Sequence, residues 1–245
     1  MASMPINQVG MPSKDTITGV TQGVGKYTII HTREMDVYET GAMGPGLAPA
    51  VLAAGPPGDN FQGTARKAAK LSISAAATET FRDVKNLVAS LVADGTMIAR
   101  KPKILTTATS KRVVEEERNV HVTAFMYAAS READNDFHLI IGRDPKEASE
   151  MYMTMELSGL PGAAAPSFPA LKAARDAFKS FFTATGATLP GLTYDYYQPP
   201  IPVKIDGSLF FDMTHASGSR PGPASLKSRM PVIWEVHPVT KIVLG

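Results

Sequence analysis

The chain has 245 residues, of which 44% are hydrophobic and 20% are charged, a composition typical of a globular protein. It contains no cysteine, which excludes disulfide bonds and thiolate-bound zinc or iron–sulfur clusters. The formal net charge is only +2, so the concentrated cationic surface that favours nucleic-acid binding is not indicated.

The N-terminal residues carry no recognisable export signal. Residues 1–15 lack the charged start and the unbroken apolar stretch of a secretory signal peptide. No run of residues approaches the ~20 apolar positions that a membrane span needs. We therefore expect a soluble chain with no membrane span, and the sequence leaves its compartment open.

Residues 1–64 are predicted to form an extended arm and linker. Gly, Pro and Ala are dense over 42–64, where no helix or strand period is present. The β-branched residues before this stretch predict one or two short strands. We expect the arm to mediate protein–protein contacts or self-association. His31 lies in it alone and is interpreted as a strand residue without a functional role.

Residues 65–111 are predicted to be a strand–helix segment that packs on the domain after it. The stretch 69–74 is a candidate strand. Thr80 is predicted to cap a helix, because Asp83 follows it at the spacing of a capping box. The helix should end at 93–95, and its buried face repeats at helical spacing: Phe81, Val84, Leu87, Val88 and Leu91.

Residues 112–245 are predicted to form one domain of five strands and one helix. The elements, in chain order, are expected at 119–129, 137–142, 151–159, 168–182 (the helix), 201–215 and 232–244. Three strands, a helix and two strands is the element order of the OB-fold, a five-stranded Greek-key barrel. Gly207 suits a barrel strand that bends sharply. Other small α+β barrels have the same count of elements.

The predicted fold class is therefore mainly β with a few helices (α+β). It consists of an OB-like five-stranded barrel, preceded by the extended Gly/Pro-rich arm and one helix.

Four separated motifs of this chain resemble a poorly characterised bacterial protein family, many of whose members are predicted to be exported. The motifs are "RVVEEERNV" (112–120), "DNDFHLIIGRD" (134–144), "VKIDGSLFFDMTH" (203–215) and "WEVHPVTKI" (234–242). The resemblance covers roughly residues 70–245 and implies an OB-like fold. It also implies that the polar motif positions matter: Asp136, His138, Asp212, His215, Glu235 and His237. The chain departs from the family after His215, where a Gly-Gln turn is missing.

A carboxylate–imidazole cluster is predicted on the barrel wall. Alternation along an extended chain sends Glu235 and His237 to one face. In the OB strand order the fourth strand lies between the fifth and the first, which brings Asp212 and His215 beside them. The candidate catalytic residues are His215, His237, Asp212 and Glu235, and the candidate metal ligands are His215, His237 and Asp212.

Three roles are open for this cluster. It could hold a divalent metal that activates water for hydrolysis. Alternatively, His215 could act as a general base oriented by Glu235 or Asp212. In the third interpretation, which we favour, the groups hydrogen-bond one another and fix the loop over 216–231, since unmatched buried polar groups cost about 1–3 kcal/mol each. No cofactor is expected.

A tyrosine-rich stretch is predicted to bind ligands. "YDYYQPP" (194–200) has the character of an exposed aromatic cluster, in which Tyr194, Tyr196 and Tyr197 could stack on bases or sugars. The alternative is a loop packed over the end of the barrel. Asp136 and His138 complete the set of predicted ligand-binding residues.

Two functions fit these features. The favoured one is a non-enzymatic binding or structural assembly protein, built on an OB-like barrel whose N-terminal arm contacts protein partners. The alternative is a metal-assisted hydrolase, of nuclease or phosphodiesterase type, that uses the His/Asp/Glu cluster. The first predicts a cluster closed off from solvent, and the second predicts that the same side chains line an open pocket.

Overall fold

The computed structural model describes residues 9–22, 27–36, 58–217 and 220–245. Within these ranges the chain is mainly β with a few helices, which confirms the predicted class. The strands are β1 (Ile17–Gln22), β2 (Thr28–Thr32), β3 (Thr78–Phe81), β4 (Asn119–Arg131), β5 (Phe137–Gly142), β6 (Tyr152–Leu157), β7 (Asp195–Phe211) and β8 (Trp234–Leu244). The helices are α1 (Lys67–Lys70), α2 (Val84–Ala89), α3 (Asp94–Ile98) and α4 (Phe168–Ala184). Among these helices, none is both long and apolar enough to cross a membrane.

All eight strands belong to one sheet, in the order β1-β2-β7-β8-β6-β5-β4-β3. β7 also pairs with β4, from Asn119↔Ser208 to Ala129↔Asp195. The strand pairs therefore form a ring, which runs from β4 to β5, β6, β8 and β7 and back to β4. Within that ring β6 and β8 are parallel, and the other neighbours are antiparallel.

The segment before β4 differs from its prediction. The stretch 69–74 is not a strand, because the chain turns through the short helix α1 there. Thr80 does not cap a helix, since it lies in β3 and pairs with His121 of β4. The helix α2 begins one turn later, where the Asp83 carboxylate accepts a hydrogen bond from the Lys85 amide at 2.8 Å. Pairing with β4 outweighs the local helical pattern.

Much of the predicted arm lies outside the described residues, which omit 1–8, 23–26 and 37–57. Two described parts of the arm form strands that join the sheet of the same chain. β1 pairs with β2, and β2 pairs with the first part of β7. Glu34 strengthens this attachment, because its carboxylate accepts hydrogen bonds from the Tyr196 hydroxyl at 2.8 Å and the Thr16 hydroxyl at 3.0 Å.

The main core lies between the sheet and α4. Apolar residues at helical spacing give α4 a buried face, which includes Leu171, Ala174, Phe178 and Phe182. The Phe178 ring meets Phe137 of β5 with 5.0 Å between ring centroids. On the other side of this core Trp234 is buried, and its indole N–H donates to the Val92 carbonyl at 2.7 Å. Strands and helices are thus joined by both packing and hydrogen bonds.

Two buried arginines tie the segment before β4 to the sheet. Arg66 donates two hydrogen bonds to the Glu116 carboxylate, at 2.6 and 2.7 Å, and neither side chain is more than 2% exposed. Arg112 donates to backbone carbonyls that include those of Ala69 at 2.9 Å and His237 at 2.6 Å. Burial lowers the pKa of Arg112 to about 10, despite the nearby negative charge of Glu116.

Gly207 lies where β7 pairs with β8 and leaves no space for a side chain. The register between these strands shifts on both sides of Gly207, and a Cβ there would lie 2.5 Å from the Pro238 carbonyl oxygen and 2.5 Å from a Val236 methyl group. We expect Gly207→Ala to lower the free energy of unfolding by about 1–3 kcal/mol through overpacking, measured by urea denaturation. The matched control is Gly162→Ala, where nothing lies within 4 Å of the added Cβ. Equal stability of the two variants would contradict this reason.

Candidate functional site

A small acidic cavity opens beside the sheet. Its volume is about 220 Å³. Five carboxylates, one lysine and one histidine line it, together with two alanines and a threonine: Asp36, Glu132, Asp134, Glu156, Asp212, Lys70, His215, Ala65, Ala133 and Thr214. They come from the end of β2, from α1, from the turn between β4 and β5, from β6 and from the end of β7. The cavity therefore forms only when distant segments pair.

Three neighbouring strands supply the buried wall of this region. β5 and β6 pair with His138 opposite Glu156, and β6 and β8 pair with Thr154 opposite Glu235. Alternation along β8 then places His237 on the same face as Glu235, as predicted, with His237 Nδ1 3.7 Å from Glu235 Oε2. Both side chains are completely buried.

Lys70 is the internal cation of the cluster. Its ammonium nitrogen lies 3.4 Å from Asp134, 3.7 Å from Asp136 and 3.6 Å from Glu156. Burial alone would lower the pKa of Lys70, but the surrounding carboxylates hold it well above its ordinary value. Burial likewise opposes the ionised form of Glu156. Lys70 and His237 nevertheless hold the pKa of Glu156 well below its ordinary value. Lys70 and Glu156 are therefore a charged, mutually stabilising pair.

His237 is held by groups on both sides of its ring. Its Nδ1 atom lies 2.5 Å from Glu156, and its Nε2 atom lies 2.7 Å from the Ser158 hydroxyl and 3.4 Å from Asp136. Nε2 shares a hydrogen bond with the Ser158 hydroxyl, and a carboxylate lies beside each ring nitrogen. Burial lowers the pKa of His237 despite the negative charge of Glu156. The group Asp136–Glu156–His237 thus already has its cation in Lys70.

Asp212, His215 and Glu235 form a second group whose potential ligand atoms all lie within 4.8 Å of one another. Asp212 directly follows β7 and accepts a hydrogen bond from the Thr214 amide at 2.7 Å, which fixes the turn that carries His215. The His215 Nε2 atom lies 3.5 Å from Asp212 Oδ2. Asp212 and His215 line the cavity, while the fully buried Glu235 is not among the lining residues.

Glu235 has no hydrogen bond to its carboxylate. In the part of the chain that the structure describes, neither of its oxygens accepts one. Burial raises the pKa of Glu235 well above its ordinary value, and the negative charges of Glu156 and Asp212 raise it further. A buried carboxyl group in this position requires either a proton or a cation.

A third group lies at the other end of the cavity and consists of Asp36, Glu132 and His138. His138 Nδ1 contacts the Glu132 carboxylate, and its Nε2 atom lies 3.2 Å from the Thr154 hydroxyl. Asp36 accepts a hydrogen bond from the Gly222 amide at 2.6 Å, which links the cavity to the loop before β8. Burial and the charges of neighbouring carboxylates raise the pKa of Glu132 well above its ordinary value.

The residues predicted from the sequence largely meet in this region. Each of six predicted residues belongs to one of the three groups: Asp136, His138, Asp212, His215, Glu235 and His237. His237 is grouped with Asp136 and Glu156, however, so the candidate metal ligands His215, His237 and Asp212 do not form one group. His121 of β4 lies outside these groups, where it pairs with Asp206 and is one-third exposed.

The predicted exposure of the tyrosine cluster is wrong. Tyr194, Tyr196 and Tyr197 are all buried. β7 begins at Asp195, so these residues lie in or beside a strand that has β2 on one side and β4 on the other. Their rings are therefore core and not a stacking surface. Tyr194 still reaches the cluster, with its hydroxyl 3.3 Å from His138 Nδ1.

Several site residues were not predicted. Lys70 falls in the stretch 69–74, which is predicted as a strand but contains the end of a helix, and Glu132 and Asp134 lie in the turn between β4 and β5. Glu156 offered the clearest signal, because alternation sets it apart from the methionines of the same strand and strand pairing places it opposite His138. Asp36 follows β2 in the predicted arm, far from the motifs in sequence.

Comparisons of the chain with protein-family models, with curated proteins and with solved structures find no match. The function is therefore inferred from the chemistry of the cavity.

Proposed function

We propose that this chain is a metal-assisted hydrolase of phosphoesters, with a divalent cation held by Asp212, His215 and Glu235. One observation carries the proposal: Glu235 is fully buried, neither of its oxygens accepts a hydrogen bond from a described residue, and its neighbours Asp212 and His215 line a cavity with four further carboxylates. A cation at this point would neutralise Glu235 and could still reach the cavity. Unpaired buried carboxylates are otherwise expensive to maintain.

The charge balance supports a cation. Seven carboxylates belong to the cavity and its three groups: Asp36, Glu132, Asp134, Asp136, Glu156, Asp212 and Glu235. Of the lysines and arginines that the structure describes, Lys70 is the one that lines the cavity. Like charges this close in a weakly polar environment disfavour one another's ionised form, and a divalent cation relieves that repulsion.

The donor set fits a catalytic metal. Two carboxylates and one imidazole suit Zn²⁺ or Mn²⁺, and three protein ligands leave a coordination position for water or substrate. Such a cation supplies a nucleophilic hydroxide near neutral pH and polarises a phosphoryl oxygen. The chain itself supplies Thr214, which holds Asp212 through its amide and hydroxyl, and Lys70, a second positive charge in the same cavity.

The site belongs to an architecture that we propose is an OB-like barrel. The pairing sequence β4-β5-β6-β8-β7-β4 supports this assignment, since it corresponds to OB strand order 1-2-3-5-4-1. The position of α4 between β6 and β7 supports it as well. In this architecture Glu156 and Glu235 lie on the paired strands β6 and β8, which hold side chains more rigidly than free loops do.

Binding and assembly without catalysis remains the competing proposal. It is favoured by the complete burial of His237 and by the pairing of Lys70 with three carboxylates, which together stabilise the fold whether or not a metal binds. Most of the arm on which assembly would depend lies outside the described residues. Metal binding and hydrolysis by the full chain separate the two proposals.

The decisive variant is Glu235→Gln, which keeps the shape of the side chain and removes its charge. With metal-free wild-type protein, we expect Zn²⁺ or Mn²⁺ at 100 times Kd to add about 2.7 kcal/mol of stability. That gain corresponds to a rise in Tm of about 5–10 °C for a chain of this length. Glu235→Gln should lose this rise but be at least as stable as wild type without metal, because it no longer buries an unmatched carboxylate.

The control is Glu147→Gln, whose side chain is 49% exposed, and it should bind metal as wild type does. Hydrolysis of bis(p-nitrophenyl) phosphate is then measured with each metal. Equal metal-induced shifts in wild type and Glu235→Gln, or no shift in either, would overturn the metal site. Metal binding without hydrolysis would retain the site and refute the enzyme.

A further inference from the structure

A second constellation of polar side chains lies where β1, β2 and β7 pair, and it shares no lining residue with the acidic cavity. His31 is in the middle strand. Asp195 of β7 is its directly paired neighbour, and Thr21 of β1 is its diagonal neighbour, two residues beyond Gly19. His31 Nδ1 lies 2.7 Å from the Asp195 carboxylate, and His31 Nε2 lies 2.8 Å from the Thr21 hydroxyl.

These distances define the direction of each hydrogen bond. The ionised Asp195 carboxylate can only accept, so the proton of the neutral His31 ring lies on Nδ1. Nε2 then carries the lone pair and accepts the hydrogen bond from the Thr21 hydroxyl. A hydroxyl, an imidazole base and a carboxylate in this order are the working parts of a nucleophilic triad.

The accessibility of the three groups matches that order. The Asp195 side chain is 9% exposed, the His31 side chain is 31% exposed, and Thr21 is exposed. The hydrogen bond with Asp195 raises the pKa of His31 above its ordinary value, although burial opposes this. The carboxylate is thus shielded and able to orient the ring, while the hydroxyl is open to a reactant.

A cavity of about 600 Å³ adjoins the triad, with His31 and Asp195 in its lining. It is large enough for a small ester. Of the described residues that line it, Arg33 carries a permanent positive charge, and Leu189 and Met35 add apolar surface. Because His31 both lines the cavity and contacts the Thr21 hydroxyl, an acyl group on Thr21 could extend into this cavity.

We propose that Thr21, His31 and Asp195 form an esterase site for small acyl esters. The Thr21 oxygen bonds to the ester carbonyl carbon while its proton moves to His31 Nε2. The bond from that carbon to the alcohol oxygen then breaks, and His31 returns the proton to the departing alcohol. Water cleaves the acyl-threonine in the same manner, with His31 taking a proton from water and returning it to Thr21. Asp195 is the positioning residue that holds the ring.

The test uses the full chain and p-nitrophenyl acetate. We expect wild type to release p-nitrophenol and to carry an acetyl group on Thr21, detected by peptide mass spectrometry after rapid acid quenching. Thr21→Val, which keeps the shape and removes the hydroxyl, and His31→Gln should each lower turnover about 100-fold. Thr21→Ser should retain activity, because it keeps the nucleophile.

Asp195→Asn tests whether the Asp195 carboxylate positions the His31 ring. It should lower kcat with little change in KM, since the amide cannot hold the required tautomer of His31. Circular dichroism checks that each variant is folded, and Thr123→Val, which removes the hydroxyl of an exposed β4 threonine that does not line this cavity, is the matched control. Wild-type turnover by Thr21→Val, or acetylation confined to lysine side chains, would overturn the proposal.

Discussion

Replacing Arg66 by methionine is expected to lower the free energy of unfolding by about 3–5 kcal/mol, as measured by urea denaturation. The change removes two hydrogen bonds to Glu116, whose carboxylate is completely buried. It also removes the hydrogen bond from Arg66 to the Phe211 carbonyl at 3.0 Å. Glu116 would keep the amides of Val113 and Phe211, each at 2.8 Å, but it would lose the guanidinium that is hydrogen-bonded to it and retain only the weaker electrostatic influence of Arg112.

Two further variants test this reason for the loss. In Arg66→Met/Glu116→Gln the uncompensated charge is gone, so the double variant should be more stable than the single one. Arg118→Met removes an arginine that also binds a carboxylate, that of Glu79, through two hydrogen bonds at 2.7 Å. Because Glu79 is 44% exposed, this loss should stay below about 1 kcal/mol. Equal losses in the two arginine variants would show that burial does not set the size of the effect.

Lys70→Met is expected to produce a loss of similar size, about 3–5 kcal/mol in metal-free buffer near neutral pH. Methionine fills the space of the lysine stem, but it leaves Asp134, Asp136 and Glu156 without their common cation. The matched control is Lys67→Met, an exposed lysine on the same helix, which should change stability by no more than about 0.5 kcal/mol.

The loss in Lys70→Met should also depend on pH. In wild type the pKa of Glu156 is held below its unfolded value of 4.5, so its contribution to stability is present above that pH and is lost as the pH falls through the folded pKa. Lys70→Met removes the main favourable cause of that low pKa. The difference between variant and wild type should therefore be largest near neutral pH and narrow below about pH 4.5. A difference that grows on acidification would contradict this account of the cluster.

The strands of the second half could be predicted because each carries its own alternating pattern. The strands expected at 119–129, 137–142 and 151–159 correspond to β4, β5 and β6, and the helix expected at 168–182 corresponds to α4. The segment before β4 could not be predicted in the same way. There Phe81 fits a helical stripe as well as a strand, and pairing with a distant strand decides between them.

The candidate site was predictable only where its members share a strand or a strand pair. Glu235 and His237 follow from alternation along β8, and the proximity of Asp212 and His215 follows from the predicted strand order. Lys70, Glu132 and Asp134 could not be found, because charged residues in short helices and turns are usually solvent-exposed and no local pattern marks them as buried. The prediction of exposed tyrosines was wrong for the opposite reason. β2 is distant from them in the chain, but it pairs with the strand that carries them.

The ring of pairings also bears on how quickly the molecule can form. His121 and Asp206 are 85 residues apart, and Arg112 contacts the His237 carbonyl across 125 residues. Before residues so far apart in the chain can make contact, large loops must close, which costs conformational entropy that burial compensates only afterwards. We therefore expect this topology to fold slowly. Until β8 takes its place beside β6, the acidic side chains stay hydrated and do not repel one another strongly. We therefore expect their mutual repulsion to arise only when β8 pairs with β6, because β8 carries Glu235.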